Sequence, residues 1–104
     1  MSKSLETAKV KLVTIVAPGE LRDGLEEHLR STGATGYTIV RADGRGKHGP
    51  REAGFLAFAN VRIETLMRAG DAVALLQYIA SAYAEEAVMA FVQDVEAVPK
   101  AHFE

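Results

Sequence analysis

Cysteine is missing from this chain of 104 residues, which excludes disulfides, thiol catalysis and thiolate metal sites. No run of about 18 apolar residues occurs, so no membrane-spanning helix is expected. Residues 1–9 mix Ser, Lys, Glu and Thr without an apolar stretch. That is not the pattern of a secretory signal, and a cytoplasmic location is the expectation. Neither sign of charge dominates: 12 Lys and Arg stand against 14 Asp and Glu, a net charge of −2. A general nucleic-acid binder needs a strongly positive surface, so that class is excluded. His28, His48 and His102 are dispersed, with no helical His pair or acidic cluster, and no metal site is expected. No Ser or Thr has a His and an acid nearby in sequence. Glu85 and Glu86 are adjacent, so their side chains diverge on a strand or turn, and catalysis has no positive support.

What is present suits one soluble domain spanning residues 1–104. Its 48% hydrophobic and 25% charged content are those of an ordinary globular protein with a real core. Lys9 to Val16 is dense in β-branched residues and reads as a strand, stopped by Ala17-Pro18-Gly19. From Glu20 to Thr32, Leu21, Leu25, His28 and Leu29 line one face of a helix, with Gly33 where a C-terminal glycine belongs. Tyr37 to Ala42 and Phe55 to Met67 read as the next two strands. Val61, Ile63, Thr65 and Met67 share one face of the latter. A second helix begins at Gly70-Asp71, with Asp71 as N-cap, and carries a stripe of Val73, Leu76, Ala80 and Tyr83 widened by Leu75 and Ile79. Ala87 to Val95 reads as the last strand, followed by a polar tail over residues 97–104.

The order β-α-β-β-α-β predicts an α+β, ferredoxin-like fold: a four-stranded antiparallel sheet with two helices on one face. The first and last strands are apolar on both sides. Val10, Leu12 and Val16 oppose Val13 and Ile15, and Val88 and Val92 oppose Met89 and Phe91. Two helices cover one face only, so the other is expected to meet further subunits in a homo-oligomer.

The chemistry concentrates in one loop. Arg41, Arg45, Lys47 and Arg51 place four of the twelve Lys and Arg residues in a short segment, interleaved with Gly44, Gly46 and Gly49. Glycines let the backbone approach a ligand and turn N–H groups toward it, so the segment suits an oxyanion. The bland alternative is a solvated loop. Gly44-x-Gly46-x-x-Gly49 matches the dinucleotide fingerprint formally, yet Pro50 and a strand follow where that fingerprint needs a helix. The phosphate-loop pattern fails as well, because His48 follows Gly46-Lys47 and Arg41 replaces its first glycine. Glu64 sits in a strand, either solvent-facing or, beneath a subunit contact, in need of a polar partner.

The chain resembles the PII signal-transduction family, and within it the carboxysome-associated, bicarbonate-responsive PII-like proteins. The residues carrying the resemblance are Gly36-Tyr37-Thr38, Gly44-Arg45-Gly46-Lys47, Val61-Arg62-Ile63-Glu64 and Phe91-Val92-Gln93-Asp94-Val95, with Lys11-Leu12 and Pro18. The resemblance implies a homotrimer with adenine nucleotides in the clefts between subunits. It also implies a T-loop, about residues 43–57 here, that changes shape with ligand and docks on a target. By matching positions, Gly36, Tyr37 and Thr38 would meet the adenosine from one subunit. Gly44, Arg45, Gly46, Lys47, Glu64 and Leu66 would come from the other. Lys100 and His102 stand where the family has two arginines for phosphate.

Departures from the family pattern bear on the ligand. The segment from Gly46 to Glu64 is short and lacks the tyrosine that is uridylylated in nitrogen-regulatory members. Residues 81–89 have no glycine, Met89 replaces a phosphate-binding lysine, and Ala17 replaces the lysine before the first proline. Loss of these cations predicts a preference for AMP or ADP over ATP, and the family's 2-oxoglutarate site loses its support. Bicarbonate presents a carboxylate-like pair of oxygens that arginine can hold bidentately. Arg41, Arg45, Lys47 and Arg51, with backbone near Gly46 and Gly49, are the candidates for holding it.

The expected function is therefore a non-enzymatic regulator with no covalent cofactor, a membrane-transporter or carbon-fixation partner, and a link to inorganic-carbon uptake. The alternatives are a nucleotide-hydrolysing enzyme on the same scaffold and a CutA-like structural or metal-linked trimer.

Overall fold

In the computed structural model, residues 5–32, 34, 36–42, 45–46, 49–50 and 60–103 are described, those from 45 to 50 as backbone only. Strand β1 (Ala8–Pro18) is followed by a 3-10 turn, Gly19–Leu21, and helix α1 (Arg22–Ser31). Strand β2 (Thr38–Ala42), the two-residue strands β3 (Arg45–Gly46) and β4 (Gly49–Pro50), and β5 (Asn60–Met67) come next. Helix α2 (Ala69–Ala82), strand β6 (Met89–Ala97) and a 3-10 turn, Lys100–Phe103, complete the order. The main sheet runs β2-β5-β1-β6 and every pairing is antiparallel. This is the ferredoxin-like arrangement expected from the element order. No helix among the described residues is long and apolar enough to cross a membrane.

Side-chain alternation divides the sheet into two faces. Val13, Ile15 and Ala17 on β1 lie opposite Thr65, Ile63 and Val61 on β5, all buried. Leu25 and Leu29 of α1 and Ala72, Leu75 and Ile79 of α2 close over them as one core. Burying a side chain such as Ile15 or Ile63 stabilises the fold by roughly 1.5–3 kcal/mol. The other face carries Leu12, Thr14, Val16, Glu64 and Leu66, with Val40, Met89 and Phe91 exposed. Neither helix packs over it, and the 3-10 turn Lys100–Phe103 reaches only its Leu12–Leu66 end.

Several boundaries differ from expectation. Strand β1 runs on through Ala17 and Pro18, which pair with Val61 and Asn60; proline is tolerated there because the ladder ends at it. Helix α1 ends at Ser31 and is capped by Thr32, whose hydroxyl donates to the Leu29 carbonyl at 2.8 Å. The Ser31 hydroxyl donates to the His28 carbonyl at 2.7 Å, so side chains satisfy the helix's last acceptors. Gly33, expected at that end, lies outside the described residues, as does the predicted start of the third strand at residues 55–59.

Asp71 is not the N-cap of α2. Arg68, with φ −70° and ψ 156°, takes that position, and Asp71 stands in the first turn, where its charge still complements the helix dipole. The predicted stripe of α2 is also rotated: Ala72, Leu75 and Ile79 face the sheet, whereas Val73 is 55% exposed. The helix is apolar nearly all round, so its period alone does not set which line faces inward. Strand β6 begins two residues late and runs to Ala97. The chain first turns at Tyr83–Val88, through Glu86 N–H to Tyr83 O and Val88 N–H to Glu86 O. The predicted polar tail is partly ordered as the 3-10 turn after a cis Val98–Pro99 peptide.

Candidate functional site

One cleft of about 450 Å³ opens at the edge of the sheet, lined by Leu12, Gly36–Thr38, Glu64–Leu66, His102 and Phe103. Its size suits a small organic ligand. Register builds it: Thr38 pairs with Glu64 across β2 and β5, and Leu12 pairs with Leu66 across β1 and β5. These four side chains therefore stand on the uncovered face. Leu12 and Leu66 form an apolar floor, and Glu64, half-buried, sets a carboxylate beside the Thr38 hydroxyl. A carboxylate is acceptor-only when ionised, so the pair can engage hydroxyl or amino groups of a ligand.

The strand entering the cleft is anchored from two sides. The Thr65 hydroxyl, on a buried residue, donates to the Gly36 carbonyl at 2.7 Å. The Tyr37 hydroxyl donates to Glu26 Oε2 at 2.8 Å and accepts from Arg30 Nη1 at 3.3 Å. Glu26 also pairs with Arg22 Nε at 3.0 Å. The Arg22 hydrogen bond first, and the Tyr37 hydrogen bond after it, hold the Glu26 carboxyl below the usual carboxylate range, against the opposing effect of burial. Among the described residues a Cβ added at Gly36 would meet nothing within 4 Å, so the glycine leaves space in the cleft rather than relieving a clash.

Six predicted residues thus come together: Gly36, Tyr37, Thr38, Glu64, Leu66 and His102. They do so within one protomer. The expectation divided Gly36–Thr38 and Glu64–Leu66 between two subunits, whereas the Thr38–Glu64 register makes them neighbours in one chain. His102 packs edge-on against Phe103, centroids 4.9 Å apart, while Lys100 is exposed and outside the lining. Arg41 is exposed and pairs with Val61, which places it on the helix side of β2, away from the cleft. The backbone of Arg45-Gly46 pairs with Gly49-Pro50 as a short ladder. Gly49 and Pro50 thus enter a strand where the dinucleotide fingerprint would need a helix. Gly44, Lys47 and Arg51, and most of the T-loop expected over residues 43–57, lie outside the described residues.

Sequence reasoning missed Leu12, Thr65 and Phe103 as lining residues and Glu26 as a supporting one. The spacing of Arg22, Glu26 and Arg30 was a visible signal, since residues four apart share a helix face. The cleft position of Leu12 emerges only from strand pairing. Among the described residues no group of three or more His, Asp or Glu is arranged to hold a metal ion.

A family model described as nitrogen regulatory protein P-II matches residues 10–102. The chain belongs to the P-II family. Among solved structures, a chain from Thermus thermophilus described as a PII-like signaling protein is 35% identical, with a TM-score of 0.80. The match covers 96% of this chain and 100% of that one. CPII from Thiomonas intermedia, a nitrogen regulatory PII-like protein solved with ADP, AMP and bicarbonate, is 22% identical with a TM-score of 0.88. Coverage there is 96% of this chain and 98% of CPII. CPII solved with ADP, AMP and acetate aligns at 22% identity and a TM-score of 0.81, over 95% and 98% of the two chains. At that identity the CPII likeness is one of fold. No curated protein sequence matches the chain.

Proposed function

We propose that this P-II family member is a non-enzymatic regulator that binds AMP or ADP in the cleft and senses bicarbonate through its basic loop. The observation that carries the reading is the convergence of Gly36, Tyr37, Thr38, Glu64, Leu66 and His102 on one 450 Å³ cleft. The adenine would lie over Leu12 and Leu66, close to the Cβ-less Gly36. Glu64 and Thr38 would take its polar edge or the ribose hydroxyls. His102, with Lys100 nearby in the same 3-10 turn, supplies basic character for phosphate.

Homotrimer formation accounts for the uncovered face of the sheet, where Val40, Met89 and Phe91 are 40%, 57% and 41% exposed; closed symmetric assembly buries such a surface. A neighbouring protomer's loop, with Gly44, Arg45, Gly46 and Lys47, would then close the cleft. Met89 and the fully buried Ala17 replace two lysines expected from the family pattern, which favours the less charged AMP and ADP over ATP. For bicarbonate, Arg41, Arg45, Lys47 and Arg51 supply the cations, with backbone N–H groups near Gly46 and Gly49. CPII crystallised with bicarbonate in one structure and acetate in another supports a site for a planar oxyanion in this fold. Ordering of the loop by the anion would change the surface offered to a transporter or carbon-fixation partner in the cytoplasm.

Titration calorimetry with AMP, ADP and ATP, each with and without bicarbonate, tests the reading. AMP or ADP is expected to bind more tightly than ATP without turnover, and bicarbonate to tighten nucleotide binding, with the reciprocal effect required by linkage. No nucleotide binding overturns the regulator; an unresponsive nucleotide affinity removes bicarbonate alone. Steady nucleotide turnover lost in Glu64→Ala or Lys47→Ala would favour the hydrolase instead.

A further inference from the structure

On α1, an ionic cluster grips one lining residue of the cleft. Arg22, Glu26 and Arg30 follow one another at four-residue spacing along α1. Glu26 lies between Arg22 Nε at 3.0 Å and Arg30 Nη1 at 3.6 Å. The two arginine side chains are 50% and 61% exposed and that of Glu26 only 19%. The Tyr37 hydroxyl enters this cluster as donor to Glu26 and acceptor from Arg30, which uses both of its hydrogen-bonding capacities. Its neighbours Gly36 and Thr38 line the cleft with it. The segment is therefore held at Gly36 by Thr65 from within the sheet and at Tyr37 by Glu26 from the helix.

We propose that Glu26 is a positioning residue for the nucleotide cleft: through the Tyr37 hydroxyl it fixes the wall formed by Gly36–Thr38, so that ligand affinity is set partly from α1. This rests on the nucleotide reading above. The physical basis is preorganisation. A cleft wall ordered before binding does not have to be ordered by the ligand, and that cost is removed from the affinity. A phenol donating to a carboxylate is a charge-assisted bond, stronger than a neutral pair, and its two arginine partners keep the carboxylate ionised.

The test is a double-mutant cycle on the intact protein, reading the Kd for AMP and for ADP in wild type, Glu26→Ala, Tyr37→Phe and the double variant. Loss of a hydrogen bond to a charged group predicts affinity weaker by up to about tenfold in Glu26→Ala. In the Tyr37→Phe background the same change is expected to add nothing, because the route from Glu26 to the cleft is already cut. Glu26→Gln, which keeps an acceptor for the phenol, should recover part of the loss. A readout independent of nucleotide is fluorine NMR of protein carrying 3-fluorotyrosine. The resonance lost in Tyr37→Phe is expected to move in nucleotide-free Glu26→Ala.

Unchanged Kd in Glu26→Ala, with wild type binding normally, overturns the positioning role and leaves the regulator standing. An equal weakening in both Tyr37 backgrounds likewise overturns it, since Glu26 would then act through α1 stability alone. Failure of wild type to bind either nucleotide overturns the functional reading and this inference with it.

Discussion

Gly36 and Glu26 act on the cleft in opposite ways, one by leaving space and the other by holding a neighbour still. Because a Cβ at Gly36 meets no atom of the described residues within 4 Å, Gly36→Ala is expected to fold with an unchanged melting temperature. It should nonetheless weaken AMP binding by intruding on the cleft, which calorimetry beside a thermal melt would separate. An equal loss of stability and affinity would show that the glycine serves the backbone instead. Glu26 carries a pH signature. Its carboxyl is held below the ordinary value of 4.5, chiefly by the Arg22 hydrogen bond, so the ionised form is favoured by folding. The sign follows from linkage: this stabilisation is complete above the unfolded-state value and disappears as the pH falls through the lower folded-state one. The stability advantage of wild type over Glu26→Gln, measured by denaturant melts, should therefore be constant near neutrality and shrink below about pH 4.5.

The two helices meet through an aromatic group that links α1 to the end of α2. His28 stacks on Tyr78 with centroids 3.5 Å apart and planes 3° from parallel, and Tyr83 meets Tyr78 edge-on at 6.0 Å. Burial raises the pKa of the Tyr83 hydroxyl first, with Tyr78 adding to it. Gly24, inside α1, faces this group: a Cβ there would come within 3.3 Å of the Tyr83 hydroxyl oxygen. Alanine in a helix interior is favoured over glycine by roughly 0.5–1 kcal/mol, and the tight contact opposes that gain. Gly24→Ala should consequently stabilise the protein more in a Tyr83→Phe background than in wild type, as read by thermal unfolding. Equal effects in both would mean that the hydroxyl moves aside without cost. The same helices illustrate what periodicity could not supply. In α1 the polar face is distinct, and the predicted Leu25 and Leu29 are buried. In α2 the apolar residues surround the axis, so the line facing the sheet was legible only from the packing of Ala72, Leu75 and Ile79.

Assembly is what the uncovered face of the sheet asks for. Thr14 is 2% exposed at its centre while Phe91, its partner across β1 and β6, remains 41% exposed. An apolar strand surface left open invites association. Sedimentation at three times the 11.2 kDa of one chain is expected for wild type, and Phe91→Glu should reduce the species to monomer by placing charge in the contact. A wild-type monomer would remove the subunit-boundary site from the proposal. A trimer that survives Phe91→Glu would locate the contact elsewhere. Because the cleft gathers Gly36–Thr38 and Glu64–Leu66 within one chain, such a monomer should keep partial nucleotide affinity, and the neighbour's loop would supply the remainder.

Local chemistry was enough to announce six elements in the right order and an antiparallel sheet with helices on one side. Strand and helix periodicities are properties of neighbouring residues, so they survive without knowledge of the fold. Which residues stand beside one another across the sheet is a matter of register, and register depends on partners distant in the chain. Thr38 therefore joined Glu64, and Leu12 joined Leu66, only once β1, β2 and β5 were paired. Tyr37 acquired its grip on Glu26 only when α1 lay across that sheet.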